Sequence, residues 1–247
     1  MTTAVQPRRT RPERGRGRRG SRALGVLGEL LLTAGVLLGL FVVWQVWWTD
    51  VEAGQEQATA VAAITERFEP PAADQPATLR TDDPPAPAPP AEGEQFAILH
   101  VPRWGLDQPI PIAEGVGTDV LNSGAAGHYP GTALPGAVGN AALAAHRQSY
   151  GAAFRHVDAL QEGDPLVVES AEAWLVYRVT GHEIVTPDRS DVIAPVPGAP
   201  GEAPTQRLLT LTTCHPLWST AERWIVHAAL DGWVPRAEGV PAEMEAS

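Results

Sequence analysis

Cys214, His146 and Arg223 are three side chains whose types could together carry out acyl transfer. Cys214 is the only cysteine in the chain, and a thiolate is a far better nucleophile near neutral pH than a hydroxyl. An imidazole could hold the sulfur as a thiolate, and a guanidinium could stabilise the oxyanion of a tetrahedral intermediate. Each residue also has an ordinary interpretation, because unpaired cysteines are commonly buried and a strand-end histidine or a surface arginine needs no catalytic role.

The sequence around these residues predicts that they lie at strand ends. In a strand over residues 207–214, alternation places Leu209 and Leu211 on one face and Thr210, Thr212 and Cys214 on the other. Arg223 begins the next strand, on the face opposite an apolar row formed by Trp224, Val226, Ala228 and Leu230. Cys214 and Arg223 thus avoid the apolar rows, as a groove over a barrel wall requires, although one bulge would invert either assignment.

The elements that must position these residues are short and β-like. Hydrophobic patterns predict strands at 96–101, 108–112, 140–146, 165–169, 174–185, 207–214 and 223–233, with a helical turn at 118–121 and a short helix at 154–160. Residues 124–139 are rich in glycine and proline and are expected to form a loop. Short strands with few helices predict a mainly β fold, a closed β-barrel of about eight strands, with a sandwich as the alternative.

The N-terminal part of the chain predicts a membrane anchor. Residues 1–22 contain eight arginines and one acid, and residues 23–48 form an apolar stretch long enough to span a bilayer. Arginines before a first span keep that side in the cytoplasm, and tryptophans at the far end favour the interface. No small-x-small cleavage site follows directly, so a retained signal anchor is favoured over a cleaved peptide. We therefore predict a single-pass cell-membrane protein with a cytoplasmic N-terminus, and not a nucleic-acid-binding arm.

Composition divides the remainder into a spacer, a domain and a tail. Residues 49–95 change from a polar, alanine-rich piece, whose composition is compatible with a helix ending near Phe68, to a stretch rich in Pro, Ala and acids, and together they predict an extracellular linker. Residues 96–235 have the size of one domain and are predicted to form the catalytic domain outside the cell. Residues 236–247 are expected to be a flexible C-terminal tail. A lone cysteine in an exported domain favours a nucleophile or an intermolecular bridge.

The run Leu-Thr-Leu-Thr-Thr-Cys-His-Pro at 209–216, with Arg223 nine positions after the cysteine, resembles the Thr-Leu-x-Thr-Cys signature of bacterial sortases. Residues 139–147, followed by Tyr150-Gly151, resemble the histidine segment of that family. Gly-His-Tyr-Pro-Gly-Thr at 127–132 resembles a loop of its actinobacterial class E group. The family usually has glycine before its histidine, where this chain has Ala145.

The resemblance covers residues 96–234 and implies roles for individual residues. It implies that Cys214 is the nucleophile, His146 the general acid/base and Arg223 the group that stabilises the oxyanion. Tyr129, Thr212 and Thr213 are candidate substrate-binding residues, with loop or strand packing as their ordinary alternative. No cofactor or metal is expected, because His215 beside Cys214 without a second Cys/His cluster does not fit zinc-site spacing.

The resemblance also implies a reaction. A membrane-anchored cysteine transpeptidase would cleave a Leu-Ala-x-Thr-Gly type sorting signal between Thr and Gly, form a thioacyl-enzyme and transfer the surface protein to a peptidoglycan precursor amine. Water in place of the amine would make the protein a thiol hydrolase. The alternatives are a class D-like or pilin-polymerising sortase with a different signal, and an inactive sortase-fold binding module. An exported cysteine peptidase or L,D-transpeptidase is disfavoured, because no second partner is placed around the cysteine in those families' patterns.

Overall fold

The computed structural model describes residues 17–68, 70, 77–85 and 87–245. Two compact units are present, one up to Val46 and one from Trp47 onward. Eight strands run through the second unit: β1 Gln95–His100, β2 Ile110–Glu114, β3 Ala126–His128, β4 Gly139–Ala144, β5 Pro165–Glu169, β6 Ala173–Val185, β7 Arg207–His215 and β8 Glu222–Pro235. They close into a barrel in the order β1-β2-β3-β4-β7-β8-β6-β5. This confirms the predicted mainly β fold with a closed barrel and short helices.

The barrel interior is filled by the apolar rows that strand alternation predicts. Leu209 and Leu211 of β7 are fully buried and share one core cluster with Val226 and Ala228 of β8. Trp224 and Leu230, in the same β8 row, pack against this cluster from its margin. Because alternate side chains of a strand point to opposite faces, the face that carries the cysteine of β7 is the outer one.

Strand β3 lies inside the segment that was expected to be a loop. It has only three residues, too few for an alternation pattern, yet it pairs in parallel with β2 and antiparallel with β4 and so closes the barrel wall. A glycine is needed at position 127, because a Cβ there would lie 2.3 Å from the carbonyl oxygen of Gly115. Tertiary pairing, and not local sequence pattern, makes this strand.

One side of the barrel wall is built from three adjacent strands. Strand β4 pairs in parallel with β7, and β7 pairs antiparallel with β8. A short turn joins β7 to β8, whereas more than sixty residues separate β4 from β7. The short helix α2, Thr118–Leu121, matches its predicted bounds and lies just before β3.

Helix α1 is continuous from Gly17 to Arg67. Among the described residues it is the one helix that is long and apolar enough to cross a membrane, and its leucines, such as Leu32, are largely exposed. Its last part belongs to the second unit, where Ala53 and Ile64 are buried and Ile64 packs against Ile98 of β1. This part of the segment expected to be a spacer is therefore packed, because it presents apolar side chains to the barrel.

The described residues on either side of the barrel also make contacts that the expected spacer and flexible tail would not make. Arg80 exchanges two backbone hydrogen bonds with Trp233, at 2.8 and 3.0 Å. Arg236 is buried, forms an ion pair with Glu169 and lies over the ring of Trp174. Composition alone did not indicate these contacts, because each depends on a partner far away in the sequence.

Candidate active site

Cys214 and Arg223 are direct partners across the antiparallel β7–β8 ladder. Directly opposed residues of an antiparallel pair project from the same face of the sheet, so the thiol and the guanidinium share the outer face of the barrel. Cys214 is a free, half-buried thiol near the end of its strand. Sequence alternation predicted this shared face, and the register brings the two residues to the same point along it.

His146 reaches the same end of the barrel through the parallel β4–β7 pair. Ala144 pairs with Thr212, and the pairing continues beyond β4, because the amide of Ala145 donates to the carbonyl of Thr212 at 3.2 Å. His146 and Cys214 come two residues after Ala144 and Thr212, respectively, which are the last pair of the β4–β7 ladder. The three residues predicted to be catalytic therefore lie at corresponding ends of three neighbouring strands.

The imidazole of His146 is held on two sides. Its Nε2 donates to Oδ1 of Asn122 at 2.9 Å, and its ring stacks on Tyr150 with a centroid separation of 5.3 Å. Because an amide oxygen only accepts, the proton of the neutral imidazole resides on Nε2 and the lone pair on Nδ1. Burial lowers the pKa of His146 from its ordinary value, since desolvation disfavours the imidazolium.

Ala145, which replaces the glycine usual in the family, fits the strand without strain. It is buried in the main core cluster, and its φ lies outside the left-handed region. Thr213 donates from its hydroxyl to the carbonyl of Ala145 at 2.7 Å. The β-carbon therefore packs into the core while the backbone stays in register with β7.

The guanidinium of Arg223 is fixed by backbone carbonyls of the β7–β8 turn. Its Nη1 donates to Thr220 at 3.0 Å and to Glu222 at 2.9 Å. These two bonds use one nitrogen, and the five N–H donors of a guanidinium leave others that can be directed to a ligand oxygen. Arg223 is half-buried, so the charge stays accessible at the surface of the barrel.

The three candidate substrate-binding residues lie in two different environments. Tyr129 is half-buried, and its hydroxyl is 3.1 Å from Oγ1 of Thr212, which lies on the same strand face as Cys214. Thr213 is on the opposite face and buried, and its hydroxyl is engaged by the backbone of Ala145. Tyr129 and Thr212 thus line the outer face beside the cysteine, whereas Thr213 joins two strands.

A loop between β6 and β7 covers the same outer face. Val192 of this loop packs on Ile225 of β8, which is the cross-strand partner of Thr212. Asn140 holds the loop from below, since its Nδ2 donates to the carbonyls of Val192 and Ala194 at 3.3 and 3.1 Å. The loop therefore lies beside the cysteine strand on the outer face, where it borders the surface around Thr212.

Sequence reasoning missed Asn122 and Asn140. Asn122 follows a helical turn, and Asn140 is the second residue of an apolar strand, so neither carries a local signal of its tertiary role. Tyr150 belongs to the histidine segment that resembles the family, but no role was predicted for it. In the part of the chain that the structure describes, no three His, Cys, Asp or Glu side chains are grouped so that they could hold a metal ion.

The arrangement can support acyl transfer at a thiol. A half-buried thiol, an imidazole with a lone pair on Nδ1 and a guanidinium lie at one end of three adjacent strands, beside the hydroxyl groups of Tyr129 and Thr212. These groups correspond to a nucleophile, a general acid/base and an electrostatic stabiliser of an oxyanion.

Comparison with known proteins finds similar sequences along most of the chain. Residues 99–231 match the sortase domain family. Sortase SrtE1 of Streptomyces coelicolor is 37% identical over 222 residues, which cover 87% of this chain and 59% of that protein. Sortase SrtE2 of the same organism is 34% identical over 235 residues, which cover 87% of each chain. The chain thus spans little more than half the length of the first of these relatives.

Solved structures share the barrel. The SrtA sortase from Actinomyces oris matches with a TM-score of 0.66 and 46% identity, covering 69% of this chain and 98% of that one. Sortase E1 from Streptomyces coelicolor, solved with a tripeptide in its active site, matches with a TM-score of 0.57 and 38% identity, covering 63% of this chain and all of that one. From its strand order, its site and these likenesses, the chain belongs to the sortase family of transpeptidases.

Proposed function

We propose that this protein is a membrane-anchored cysteine transpeptidase that joins a sorting-signal peptide to an amine. The observation that carries the proposal is the register of the three adjacent strands. It sets Cys214 directly opposite Arg223 and leaves His146 at the matching position of the parallel neighbour. Cys214 is the one thiol that could act as the nucleophile, since the chain has one cysteine.

The first half of the reaction forms a thioacyl-enzyme. Nδ1 of His146 takes the proton of the Cys214 thiol, the resulting thiolate attacks the carbonyl carbon of the peptide bond, and Arg223 stabilises the negative charge that develops on the carbonyl oxygen. The C–N bond then breaks as His146 donates a proton to the departing amine. The acyl group remains on sulfur, and the released fragment leaves with a new amino terminus.

The second half returns the thiol. An acceptor amine attacks the thioester carbonyl, His146 removes a proton from that amine, and the sulfur departs as a thiolate. Removal of this proton needs the neutral imidazole, and burial favours that form because desolvation lowers the pKa of His146. Water can replace the amine, and the product is then a hydrolysed peptide.

We assign a Leu-Ala-x-Thr-Gly type sorting signal and a peptidoglycan precursor amine as the substrates. The support is the resemblance of residues 127–132 to the class E loop and the identity of 34–37% with two proteins named sortase SrtE1 and SrtE2. The tripeptide in the active site of sortase E1 from Streptomyces coelicolor supports a peptide ligand for the proposed site. Tyr129 and Thr212 are proposed to contact the bound peptide, whereas Thr213 supports the strand from its opposite, buried face.

The proposal includes a location at the cell membrane. Residues 23–48 would form the span, with 1–22 in the cytoplasm and the catalytic domain, 96–235, outside the cell. The support is the exposed apolar surface of α1 and the arginine-rich sequence before it. Reaction of Cys214 with a membrane-impermeant maleimide on intact cells tests this orientation, and labelling only after lysis would contradict it.

A peptide-transfer assay tests the reaction. Full-length protein in detergent micelles is incubated with a Leu-Ala-x-Thr-Gly peptide and a primary amine, beside the Cys214→Ala variant. We expect an amide product with the wild-type chain alone. A different signal used in preference would favour the class D-like or pilin-polymerising alternative, and the absence of product with any signal would favour an inactive binding module.

A further inference from the structure

The residues that directly follow the three catalytic residues form a second cluster. Arg147 follows His146, His215 follows Cys214 and Trp224 follows Arg223. Nη1 of Arg147 donates to Nδ1 of His215 at 2.8 Å. The guanidinium carbon of Arg147 lies 5.5 Å from the ring centroid of Trp224, whose ring is 5.2 Å from that of His215. The three segments that carry the proposed catalytic residues are therefore also in contact through the side chains that follow those residues.

This second cluster does not share the face of the catalytic residues. Neighbouring residues of a strand project to opposite faces, so His215 and Trp224 turn away from the side of Cys214 and Arg223. Trp224 packs against the main core, and the side chain of Arg147 is only 5% exposed. His215 and Trp224 therefore face away from the proposed peptide site, and Arg147 is buried against them, so we infer that the cluster acts on the reaction through the backbone.

Arg147 is the member that joins the others. A guanidinium is always a donor, so Nδ1 of His215 accepts and the proton of this neutral imidazole resides on Nε2. A second nitrogen, Nη2, lies 3.1 Å from Oδ2 of Asp158, and the planar group lies beside Trp224. A lysine ammonium cannot make these three contacts together, because it is a point charge without the planar fork. His182 stacks on Trp224 at 4.9 Å and completes the packing.

We propose that Arg147, His215 and Trp224 are positioning residues that fix the mutual geometry of Cys214 and the other two catalytic residues. This role rests on the proposed function. Each contact restrains a backbone position adjacent to a catalytic residue, and the contacts tie β4, β7 and β8 together at their ends. Catalytic groups must be held within a fraction of an ångström, so loosening the cluster lowers the rate of the chemical step more than peptide binding.

The test compares matched variants in the full chain, with the peptide-transfer assay as readout. His215→Asn places an amide oxygen where Nδ1 accepts, whereas His215→Leu leaves the buried guanidinium donor without its acceptor. We expect His215→Leu and Arg147→Lys to lower kcat by about 10- to 100-fold with KM within about threefold, and His215→Asn to recover most of the rate. The rate of Cys214 alkylation by iodoacetamide, followed against pH, is expected to change with the same variants.

Arg236→Met provides the control for a purely structural effect. Arg236 is also a buried arginine beside an aromatic ring, but it follows the opposite end of β8. We expect this variant to lower Tm while kcat stays within about twofold of wild type. If Arg147→Lys does not fold, the two His215 variants still decide the question.

Three outcomes would overturn the assignment of the cluster. Wild-type kcat in His215→Leu would show that the contact with Arg147 is dispensable. Equal losses in His215→Asn and His215→Leu, or a loss in Arg236→Met as large as that in Arg147→Lys, would show a general effect of stability. Absence of transfer by the wild-type chain would instead reject the proposed function itself, and the role of the cluster with it.

Discussion

Nε2 of His146 lies 2.9 Å from Oδ1 of Asn122, and this contact fixes which imidazole nitrogen can exchange a proton. The neutral ring carries its proton on Nε2 and its lone pair on Nδ1. Stacking on Tyr150 restrains the ring plane as well. The proposed general acid/base is thus oriented by the amide of Asn122, which lies outside the motif signatures, and by the phenol ring of Tyr150, which belongs to the histidine segment.

Replacement of Asn122 tests this orientation. Asn122→Ala removes the acceptor, so the ring can rotate or change tautomer, and we expect kcat to fall by about 10- to 100-fold with little change in KM. Asn122→Asp keeps an acceptor in place and should retain more activity at a pH where His146 is neutral. Steady-state kinetics of peptide transfer measure both variants, and equal rates for Asn122→Ala and wild type would contradict the role.

No other cationic side chain is expected to replace Arg223 without loss of activity. Arg223→Lys keeps the positive charge but loses the planar fork that binds backbone carbonyls and an oxyanion at the same time. We expect transfer to fall by about 100- to 1000-fold, the usual cost of removing one oxyanion donor. Arg178→Lys, at an exposed ion pair with Asp231, is a matched control that should keep its activity. Near-normal turnover in Arg223→Lys would remove the proposed role.

The pH dependence should reflect the burial of His146. Desolvation lowers its pKa below the ordinary value of 6.5, so the acid limb of the rate profile is expected below that value. The same shift affects folding, because the unfolded chain binds this proton more readily. The stability associated with the neutral ring is present above pH 6.5 and is lost as the pH falls through the folded-state pKa.

Two measurements check this pH dependence. The first is the rate of peptide transfer against pH, and the second is the free energy of unfolding against pH for wild type and His146→Gln. In His146→Gln, the free energy of unfolding should decrease less as the pH falls below 6.5, because the variant lacks this titrating imidazole. An acid limb above pH 6.5, or identical stability profiles, would contradict the assigned direction of the pKa shift.

The contact between Tyr129 and Thr212 is expected to shape the proposed peptide site. Tyr129→Phe and Thr212→Val each remove one half of the 3.1 Å hydrogen bond. Loss of about 1 kcal/mol of preorganisation should raise KM by about 3- to 10-fold, with a smaller effect on kcat. A double-mutant cycle in KM separates this contact from other effects of the two substitutions. Strict additivity of the two changes would show that the contact has no bearing on peptide binding.

The sequence predicts the Cys214–Arg223 relationship well, because β7 and β8 are consecutive and joined by a short turn, so that local alternation specifies both faces. The placement of His146 was suggested by family resemblance alone. It depends on parallel pairing between strands far apart in the sequence, which alternation does not encode.

Other features became visible only through tertiary contacts. Strand β3 is too short for a pattern, and Asn122 acts through a histidine 24 positions away. The apolar residues on the last part of α1 pack against the barrel. The sequence of this part predicts a polar spacer, because charged and polar residues separate the apolar ones along the chain. In each case the residues that determine the structure lie far apart in the sequence.

The most direct test of the account is the mass of the intact protein after brief incubation with a sorting-signal peptide in the absence of acceptor amine. The account predicts an adduct on wild-type chain equal to the peptide acyl fragment. The adduct should be sensitive to hydroxylamine, located on Cys214 by fragmentation, and absent in the Cys214→Ala variant. Peptide cleavage by that variant, or an adduct on any other residue, would contradict the assignment of Cys214 as the nucleophile.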